Sequence, residues 1–421
     1  MAMRFKKTTV ALSAFTCAAV LSVSLSAKAT PVPRPPQYVL MAFDGSKTID
    51  GTGPNWQTTR DFAKEATEAG APVKFTYFIS GVYFLNAKNK KLYTAPHHSP
   101  GQSEIGFGKT PEEISDRIDE INAAYKEGHE IGSHANGHYD GSRYTESDWS
   151  GEFRQFNELV ADAFKNNDLD KSWAFAEKEM IGFRAPLLGV SKGMWPALDK
   201  HGIKYDTSKI AEPNYWPEKN IYGTWNFPLA RLSIVGSGKW TLSMDYNFYD
   251  ADSHAKEDRE NSSKYEKQML DTYMKYFKGN YYGNRAPVSI GHHFMAFNGN
   301  AYWRAMKRFS KTVCGLPEVK CVTYTELMNY MESLPKATRL VYQKGQFEKM
   351  EGASIKVAKD IAAEQNSSRM ELTEDGTMAF VPRPSDGSAL QGDLPGAHEG
   401  HSELQNYDDS ESLQSIQEST S

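Results

Sequence analysis

Six polar side chains that could take part in catalysis each follow a segment with the composition of a buried strand. In α/β folds the active site forms at the carboxyl ends of the strands, so we expect residues in these positions to meet at one edge. They are Asp44 in AFDGS, His134 and His138 in GSHANGH, Arg184 in FRAPLLG, Asp245 after TLSM, and His292 after VSIG. Carboxylates, imidazoles and a guanidinium at one edge predict acid–base and metal chemistry.

Two imidazoles and a carboxylate form a suitable ligand set for a divalent metal, with Zn²⁺ as the first candidate and Co²⁺ as the second. We predict Asp44, His134 and His138 as the ligands, because the i,i+4 spacing of the histidines places both rings on one side of a turn. Such an ion activates water and polarises a carbonyl, which is hydrolytic chemistry. Taken singly, the residues have simpler explanations: HxxxH pairs are common on surfaces, and Asp44 before Gly45 could belong to a turn. Their joint position at strand ends favours the site.

Strand-like and helix-like segments alternate along most of the chain, which predicts an α/β protein with a parallel sheet, either open or closed into a barrel. The helix that starts near 110 has the clearest signals, because Thr110 can cap it, Pro111 suits its first position and Glu113 can complete a capping box. The predicted strands are 38–43, 73–80, 129–133, 180–183, 240–244, 288–291 and 319–322. The predicted helices are 56–70, 147–166, 191–201 and 262–278, with others starting near 110, 302 and 325.

The two ends of the chain differ from this middle part. Residues 1–29 have a basic cluster, an apolar run and a final Ala-Lys-Ala, which predicts a cleaved signal peptide and a periplasmic or secreted protein without a transmembrane anchor. We place one catalytic domain at 30–335 and an ancillary segment at 336–381, with strand-like pieces at RLVY and TMAFV. Residues 382–421 are acidic and poor in apolar side chains, which predicts a disordered tail.

Charge and cysteine content narrow the functional class. A net charge of -5 argues against a nucleic-acid partner, which would require a basic face. Cys314 and Cys321 remain after the leader; in an oxidising compartment they could form a disulfide, and otherwise they are two unpaired thiols. His97 and His98 lie in a polar loop and are expected to be solvated. Trp216, Trp225 and Trp303 could line a sugar-binding groove or fill the core.

In their order along the chain and in their residues, these motifs resemble those of the polysaccharide deacetylases of carbohydrate esterase family four, which have the NodB-homology domain. The resemblance covers about 37–330, and QYVLMAFDGS, KFTYFIS and GHEIGSH are closest to the subgroup of animal chitin deacetylases and related exported bacterial enzymes. It implies a distorted (β/α) barrel with a groove for a glycan. It also implies metal-assisted hydrolysis of N-acetyl groups on N-acetylglucosamine, most simply in peptidoglycan and next in chitin-type oligomers.

The resemblance also assigns roles to individual residues. Asp44 would be the base, oriented by Arg184, and His292, held by Asp245, would be the acid; His293 is its close competitor. The family's first motif normally has two aspartates, and this chain has Gly45 in place of the second. Asp44 is therefore either base or metal ligand. The same change leaves a catalytically silent glycan-binding module open as an alternative, beside an O-acetyl glycan esterase.

Overall fold

The structure is a computed structural model that describes residues 32–46 and 53–348, together with the backbone of 370–372 and 378–380. The predicted signal peptide at 1–29 and the predicted disordered tail at 382–421 lie outside the described residues. In the described ranges, no helix combines the length and the apolar character that a membrane span needs.

Most of the strands belong to one sheet that is largely parallel. The strands are β1 (Gln37–Asp44), β2 (Thr76–Ile79), β3 (Glu130–Ser133), β4 (Gly182–Phe183), β5 (Tyr205–Asp206), β6 (Ile210–Ala211), β7 (Glu218–Lys219), β8 (Trp225–Asn226), β9 (Leu229–Ser233), β10 (Trp240–Leu242), β11 (Val288–His293), β12 (Val319–Val322), β13 (Met370–Leu372) and β14 (Met378–Phe380). The order of strands in this sheet is β11-β1-β2-β3-β4-β5-β8-β7, and β12 pairs with the first half of β1. Among the described strands of this sheet, the β7–β8 pair is antiparallel and the others are parallel.

A second, three-stranded sheet of order β10-β9-β6 continues the first one. Just after β10, Met244 forms a parallel bridge with Gly291 of β11, and the Gly291 N–H donates to the Ser243 carbonyl oxygen at 2.8 Å. The three-stranded sheet therefore adjoins the β11 edge of the first, curled sheet. The predicted distorted (β/α) barrel is confirmed.

The helices lie between the strands, as the alternating pattern predicts. Thr110 caps its helix by accepting the Glu113 N–H, but Glu113 does not complete a capping box because its carboxylate accepts the Lys109 N–H instead. The helices are α1 (Trp56–Glu68), α2 (Pro111–Lys126), α3 (Glu146–Ala161), α4 (Ala163–Asn166), α5 (Met194–Lys200), α6 (Asp245–Ser253), α7 (Ser262–Tyr282), α8 (Phe297–Val313), α9 (Tyr324–Ser333) and α10 (Lys336–Gln343).

Both faces of the central strands are buried, which explains their continuous apolar sequence. In β1, Met41 and Phe43 pack in a large cluster formed with helices α1, α7 and α8. Leu40 and Ala42 point to the opposite face and pack with Tyr324 in a second cluster. Asp44 ends the strand on the same face as Leu40 and Ala42, so its carboxylate is directed to the interior face at the carboxyl edge.

The segment after the barrel differs from the prediction in one place. Residues 339–342 (RLVY) belong to helix α10 and not to a strand, and Tyr342 stacks on Trp216 with ring centroids 5.7 Å apart. The strand predicted near TMAFV is present as β14, paired antiparallel with β13. Cys314 and Cys321 form a disulfide at the junction of α8 and β12, which decides between the two alternatives that the sequence left open.

Candidate active site

An ion pair between Asp44 and Arg184 links the ends of β1 and β4. Arg184 is fully buried, and its Nη1 donates to Asp44 Oδ1 at 2.8 Å. Arg184 Nε donates to Thr207 Oγ1 at 2.7 Å, and its guanidinium lies 4.7 Å from the centre of the Phe78 ring. Three separate contacts therefore fix the guanidinium, which in turn fixes the orientation of the Asp44 carboxylate.

The next residue, Gly45, turns the chain away from the site with a φ of 95°. This is a left-handed conformation that glycine adopts without steric cost, whereas other residues rarely occupy it. At the position where the similar motif has its second aspartate, this chain therefore has no side chain, and its backbone conformation suits glycine.

His134 lies directly after β3 and is almost entirely buried. Its Nδ1 is 2.8 Å from the carbonyl oxygen of Arg184, which can only accept, so Nδ1 has the proton. Burial lowers the pKa of His134, which keeps the ring neutral. Its Nε2 then has a lone pair, and this buried nitrogen has no hydrogen-bond partner among the described residues. A ring whose Nδ1 is fixed by a carbonyl oxygen and whose Nε2 has an available lone pair is the usual arrangement of a metal-binding histidine.

His138 lies close to His134, although the two are not on a helical turn. Residues Ala135 and His138 both have positive φ, at 52° and 62°, so the HANGH segment is an irregular loop. The two imidazole ring centroids are nonetheless 5.2 Å apart, with an angle of 64° between the rings. The prediction that the i,i+4 spacing brings the two rings to one side is confirmed, and the regular turn expected to do so is wrong.

A buried glutamate supports this histidine loop from behind, and the sequence reasoning missed it. Glu152 accepts hydrogen bonds from Asn136 Nδ2 at 3.0 Å and from the Tyr93 hydroxyl at 2.9 Å, and that hydroxyl also accepts the Gly137 N–H at 3.1 Å. Burial raises the pKa of Glu152 to about 7. The detectable signal was a charged residue on the apolar face of α3, three positions after the buried Trp149.

A second carboxylate pair, this one with an imidazole, joins α6 and β11, and its histidine is His293. His293 Nδ1 is 2.7 Å from Asp245 Oδ1, and the His293 backbone N–H donates to Asp245 Oδ2 at 2.9 Å. Burial by itself would lower the pKa of His293, but the charge of Asp245 and its hydrogen bond raise it. Burial by itself would likewise raise the pKa of Asp245, but the adjacent histidines hold it below its ordinary value.

The expected position of His292 at the site is therefore wrong. His292 is buried on the opposite face of β11, near Phe43 and Tyr273, and burial lowers its pKa to about 4. Its Nδ1 lies 3.6 Å from Asp245 Oδ2, too far for a good hydrogen bond. The parallel register pairs Asp44 with His293 and Phe43 with His292. Because side chains alternate along a strand, His293 shares the interior face with Asp44.

One pocket of about 250 Å³ joins these groups. Its lining combines polar groups, among them the HxxxH pair, with several aliphatic side chains. The lining residues are Asp44, His134, His138, Asp140, Ser142, Ala185, Leu187, Leu188, Gly189, Val190, Ile210, Leu242, Met244, Tyr246, Asn247 and His293.

The two histidines fit a divalent metal as nitrogen donors, because both line the pocket and the buried Nε2 of His134 has no hydrogen-bond partner in the described part of the chain. Within residues 32–46 and 53–348, no group of three His, Cys, Asp or Glu side chains is arranged to hold a metal ion. Asp44 lines the same pocket, but its Oδ1 accepts from Arg184.

The remaining candidates lie away from the pocket. His97 is exposed and its Nε2 is 3.4 Å from Asp148 Oδ2, in agreement with the solvated loop position that was expected. Trp216, Trp225 and Trp303 are at most 4% exposed and pack in the core, so the groove-lining alternative is wrong for all three.

Comparison with known proteins gives similarities at the level of fold only. No protein-family model and no curated protein matches the chain. A protein of Mycobacterium smegmatis assigned as a polysaccharide deacetylase is similar at 15% identity and a TM-score of 0.40, over 72% of this chain and 96% of that one. The peptidoglycan deacetylase PdaC of Bacillus subtilis is similar at 14% identity and a TM-score of 0.35, over 73% and 97%. A mutant of a carbohydrate esterase family 4 pseudoenzyme is similar at 10% identity and 0.35, over 71% of each chain. At such values, activity has to be inferred from the chain's own residues.

Proposed function

We propose that the protein is a polysaccharide N-deacetylase that removes N-acetyl groups from N-acetylglucosamine residues, with peptidoglycan as the first candidate substrate and chitin-type oligomers as the second. The observation that supports this most strongly is one pocket in which the HxxxH histidines meet two carboxylate pairs, Asp44–Arg184 and Asp245–His293. Amide hydrolysis needs a base for water and an acid for the leaving amine, and the two pairs supply one of each.

Each pair has a distinct task in this proposal. Asp44, held by Arg184, takes one proton from the attacking water, whose oxygen bonds to the acyl carbon. His293, held by Asp245 and with a raised pKa, donates its Nε2 proton to the nitrogen as the carbon–nitrogen bond breaks. The acyl group leaves as a carboxylic acid and the sugar retains a free amine, so one water molecule is consumed per amide. Asp44 then returns its proton to the medium and His293 is reprotonated.

A divalent ion, Zn²⁺ or otherwise Co²⁺, would be held by His134 and His138 and would polarise the amide carbonyl and acidify water. Two features of the chain support this assignment. His134 is neutral and its Nδ1 is fixed by the Arg184 carbonyl oxygen, so its Nε2 needs no rearrangement to bind a cation. His138 lies beside it on the same wall of the pocket.

Export is part of the proposal, since peptidoglycan and chitin lie outside the cytoplasm. The disulfide Cys314–Cys321 supports it, because such bonds persist in oxidising compartments and are rare in the cytosol. The basic and apolar start of the sequence supports it independently.

Acetate release is the measurement that tests the activity. Purified protein is incubated with N-acetylated peptidoglycan or chitin oligomers, with added Zn²⁺, with Co²⁺ or with a chelator. We expect acetate that disappears with chelator and in His134→Ala. The exposed His97 offers a matched control, because His97→Ala removes an imidazole outside the pocket and should retain full activity. Absence of acetate from both glycans under all metal conditions would refute the proposal.

A catalytically silent glycan-binding module is the second candidate. Gly45 in place of an acidic residue, and the lack of a three-donor group in the described part of the chain, favour it. In that case the protein would bind the glycan with the same affinity as His134→Ala and release no acetate. Equilibrium binding measured beside the acetate assay therefore separates the two candidates.

A further inference from the structure

Asn247, in the first turn of α6, is a buried polar residue that the proposed reaction does not use. It is 8% exposed and it lines the pocket. In the described part of the chain its side-chain amide forms no hydrogen bond, and both the oxygen and the nitrogen of that amide remain accessible. A buried polar group normally has a hydrogen-bond partner, and one that has none in the protein is satisfied by water or by a ligand. The amide of Asn247 is therefore available to a molecule in the pocket.

Local structure does not account for an asparagine at this position. Asparagine is unfavourable inside helices and is favoured where its side chain caps a backbone N–H. Asn247 makes no such cap, and its own N–H donates to the Met244 carbonyl oxygen at 3.1 Å. The nearby carboxylate of Asp245 is already used, because it accepts from the N–H groups of Tyr246 and His293 and pairs with the His293 ring.

The strand order places Asn247 on a definite side of the reacting groups. At the carboxyl edge of the sheet, His134 follows β3, Asp44 ends β1, and His293 ends β11, which pairs with β1. Strand β10 adjoins β11 on the side away from β1, and Asn247 follows β10. Neighbouring strands are about 4.8 Å apart. Asn247 therefore lies beyond His293, on the side away from the metal-binding histidines.

This is the sugar side of the reacting amide. In the proposed reaction the acyl carbon meets water beside Asp44, and the nitrogen receives its proton from His293. The nitrogen is bonded to carbon 2 of the sugar, so the sugar ring lies on the His293 side. Within a glycan chain the hydroxyl closest to this nitrogen is on carbon 3, because carbon 1 is in the glycosidic bond. A hydroxyl donates and accepts hydrogen bonds, and a carboxamide can match either role.

We propose that Asn247 binds the 3-hydroxyl of the N-acetylglucosamine unit that is deacetylated, and so selects sugars in which this oxygen is unsubstituted. The inference rests on the proposed function, because the proposed reaction defines which side the sugar occupies. In peptidoglycan, N-acetylglucosamine has a free 3-hydroxyl, whereas N-acetylmuramic acid has a lactyl ether on the same oxygen. The ether oxygen cannot donate and its substituent adds bulk, so Asn247 favours the glucosamine unit.

The test pairs a change in the protein with the matching change in the substrate. Asn247→Ala removes the amide, and N-acetylglucosamine oligomers are prepared either with the 3-hydroxyl or with hydrogen in its place. We expect Asn247→Ala to lower kcat/KM about tenfold on the normal oligomer, and the wild type to lose about the same factor on the 3-deoxy oligomer. On the 3-deoxy oligomer the two proteins should react equally, because the hydrogen bond is missing in both cases.

Asn157→Ala is the matched control. Asn157 is exposed on α3, outside the pocket, and its side chain also forms no hydrogen bond within the described residues. The control should therefore discriminate between the two oligomers as the wild type does. Because the side chain of Asn247 has no bond to the protein to lose, Asn247→Ala should also keep the melting temperature of the wild type.

Two results would overturn the inference. One is an Asn247→Ala variant that loses the same factor on both oligomers, and the other is a wild type that does not distinguish them. Absence of acetate from the normal oligomer with every metal would instead contradict the proposed function. In that case the dissociation constants of the two oligomers decide the inference, because the same dependence on Asn247 and on the 3-hydroxyl is expected in binding.

Discussion

The adjacent histidines of β11 permit a direct test of the proposed acid, because each can be replaced while its nearest contact is retained. His293→Asn preserves a nitrogen near the Nδ1 position, which can still donate to Asp245, and removes the Nε2 proton that faces the pocket. His292→Gln preserves a nitrogen near Nε2, which lies 3.4 Å from the Tyr273 hydroxyl. The two variants therefore separate loss of a proton donor from loss of a buried ring.

The expected magnitudes follow from where each ring lies. His293 exposes 26% of its side chain and lines the pocket, so removal of its proton should lower kcat about 100- to 10,000-fold and hardly change the free energy of unfolding. His292 is 2% exposed and packs between aromatic rings, so its replacement should cost about 1–3 kcal/mol of stability. We expect its kcat to change less than about tenfold.

The pH profile provides a second readout. Because Asp245 raises the pKa of His293 despite its burial, the protonated acid is complete at low pH and is lost as the pH rises through that raised value. Wild-type kcat/KM should therefore fall on the alkaline side, and this alkaline limb should be missing in the residual activity of His293→Asn. Amine release across pH, together with urea unfolding of both variants, measures these effects. A folded His292→Gln that is inactive beside an active His293→Asn would show that the assignment is reversed.

Three further predictions concern the rest of the site and its support. Arg184→Met leaves the buried carboxylate of Asp44 without its ion-pair partner, so it should lower the free energy of unfolding by about 3–5 kcal/mol; a change below 1 kcal/mol in urea unfolding would contradict the pairing. Replacement of His134 by Ala should abolish saturable Zn²⁺ binding in calorimetry on the chelator-treated protein, and binding equal to wild type would exclude this ligand. Double replacement of Cys314 and Cys321 by Ser opens a loop with a separation of 7 residues, which should cost about 2.5 kcal/mol; reducing agent should destabilise the wild type equally and leave the double variant unchanged.

The fold could be predicted from the sequence where strands are long and buried on both faces. The run that became β1 is almost continuously apolar, β11 is buried along nearly its whole length, and each is followed by a recognisable helix. The stretch from β5 to β9 was not predicted, because β5, β6, β7 and β8 have two residues each and too few positions to show a period. Tertiary pairing to neighbouring strands, and not local pattern, defines them.

The sequence predicts which residues follow the strands at the site, but it does not predict which face of each strand their side chains occupy. Alternation along β11 places His292 on the same face as Val288 and Ile290, so a site at His292 would need these apolar positions to face the barrel interior. In fact Val288 and Ile290 face the helices, while the smaller Ser289 and Gly291 line the interior with His293. The sequence of a strand that is buried on both faces does not indicate which face lines the barrel interior and which packs on the helices.

Supporting residues from distant parts of the sequence were also beyond reach. Tyr93 and Glu152 are 59 positions apart, and Arg184 and Thr207 are 23 apart. Such contacts depend on how loops and helices are arranged in three dimensions, and a single sequence contains no periodic signal for them. Only the charge of Glu152 on an otherwise apolar helix face indicated that a buried partner was needed.

A main-chain carbonyl oxygen, that of residue 184, determines which ring nitrogen of His134 has the proton and which has the lone pair. Every amino acid at position 184 has the carbonyl that accepts from Nδ1, so no point substitution there can delete this contact. Substitutions can therefore alter the side chains around the imidazole, including the guanidinium of Arg184, without changing which tautomer His134 adopts. The changes that can disturb it are insertions or deletions between Phe183 and Pro186, which displace the backbone. We expect length at this strand end to be less tolerant of variation than residue type.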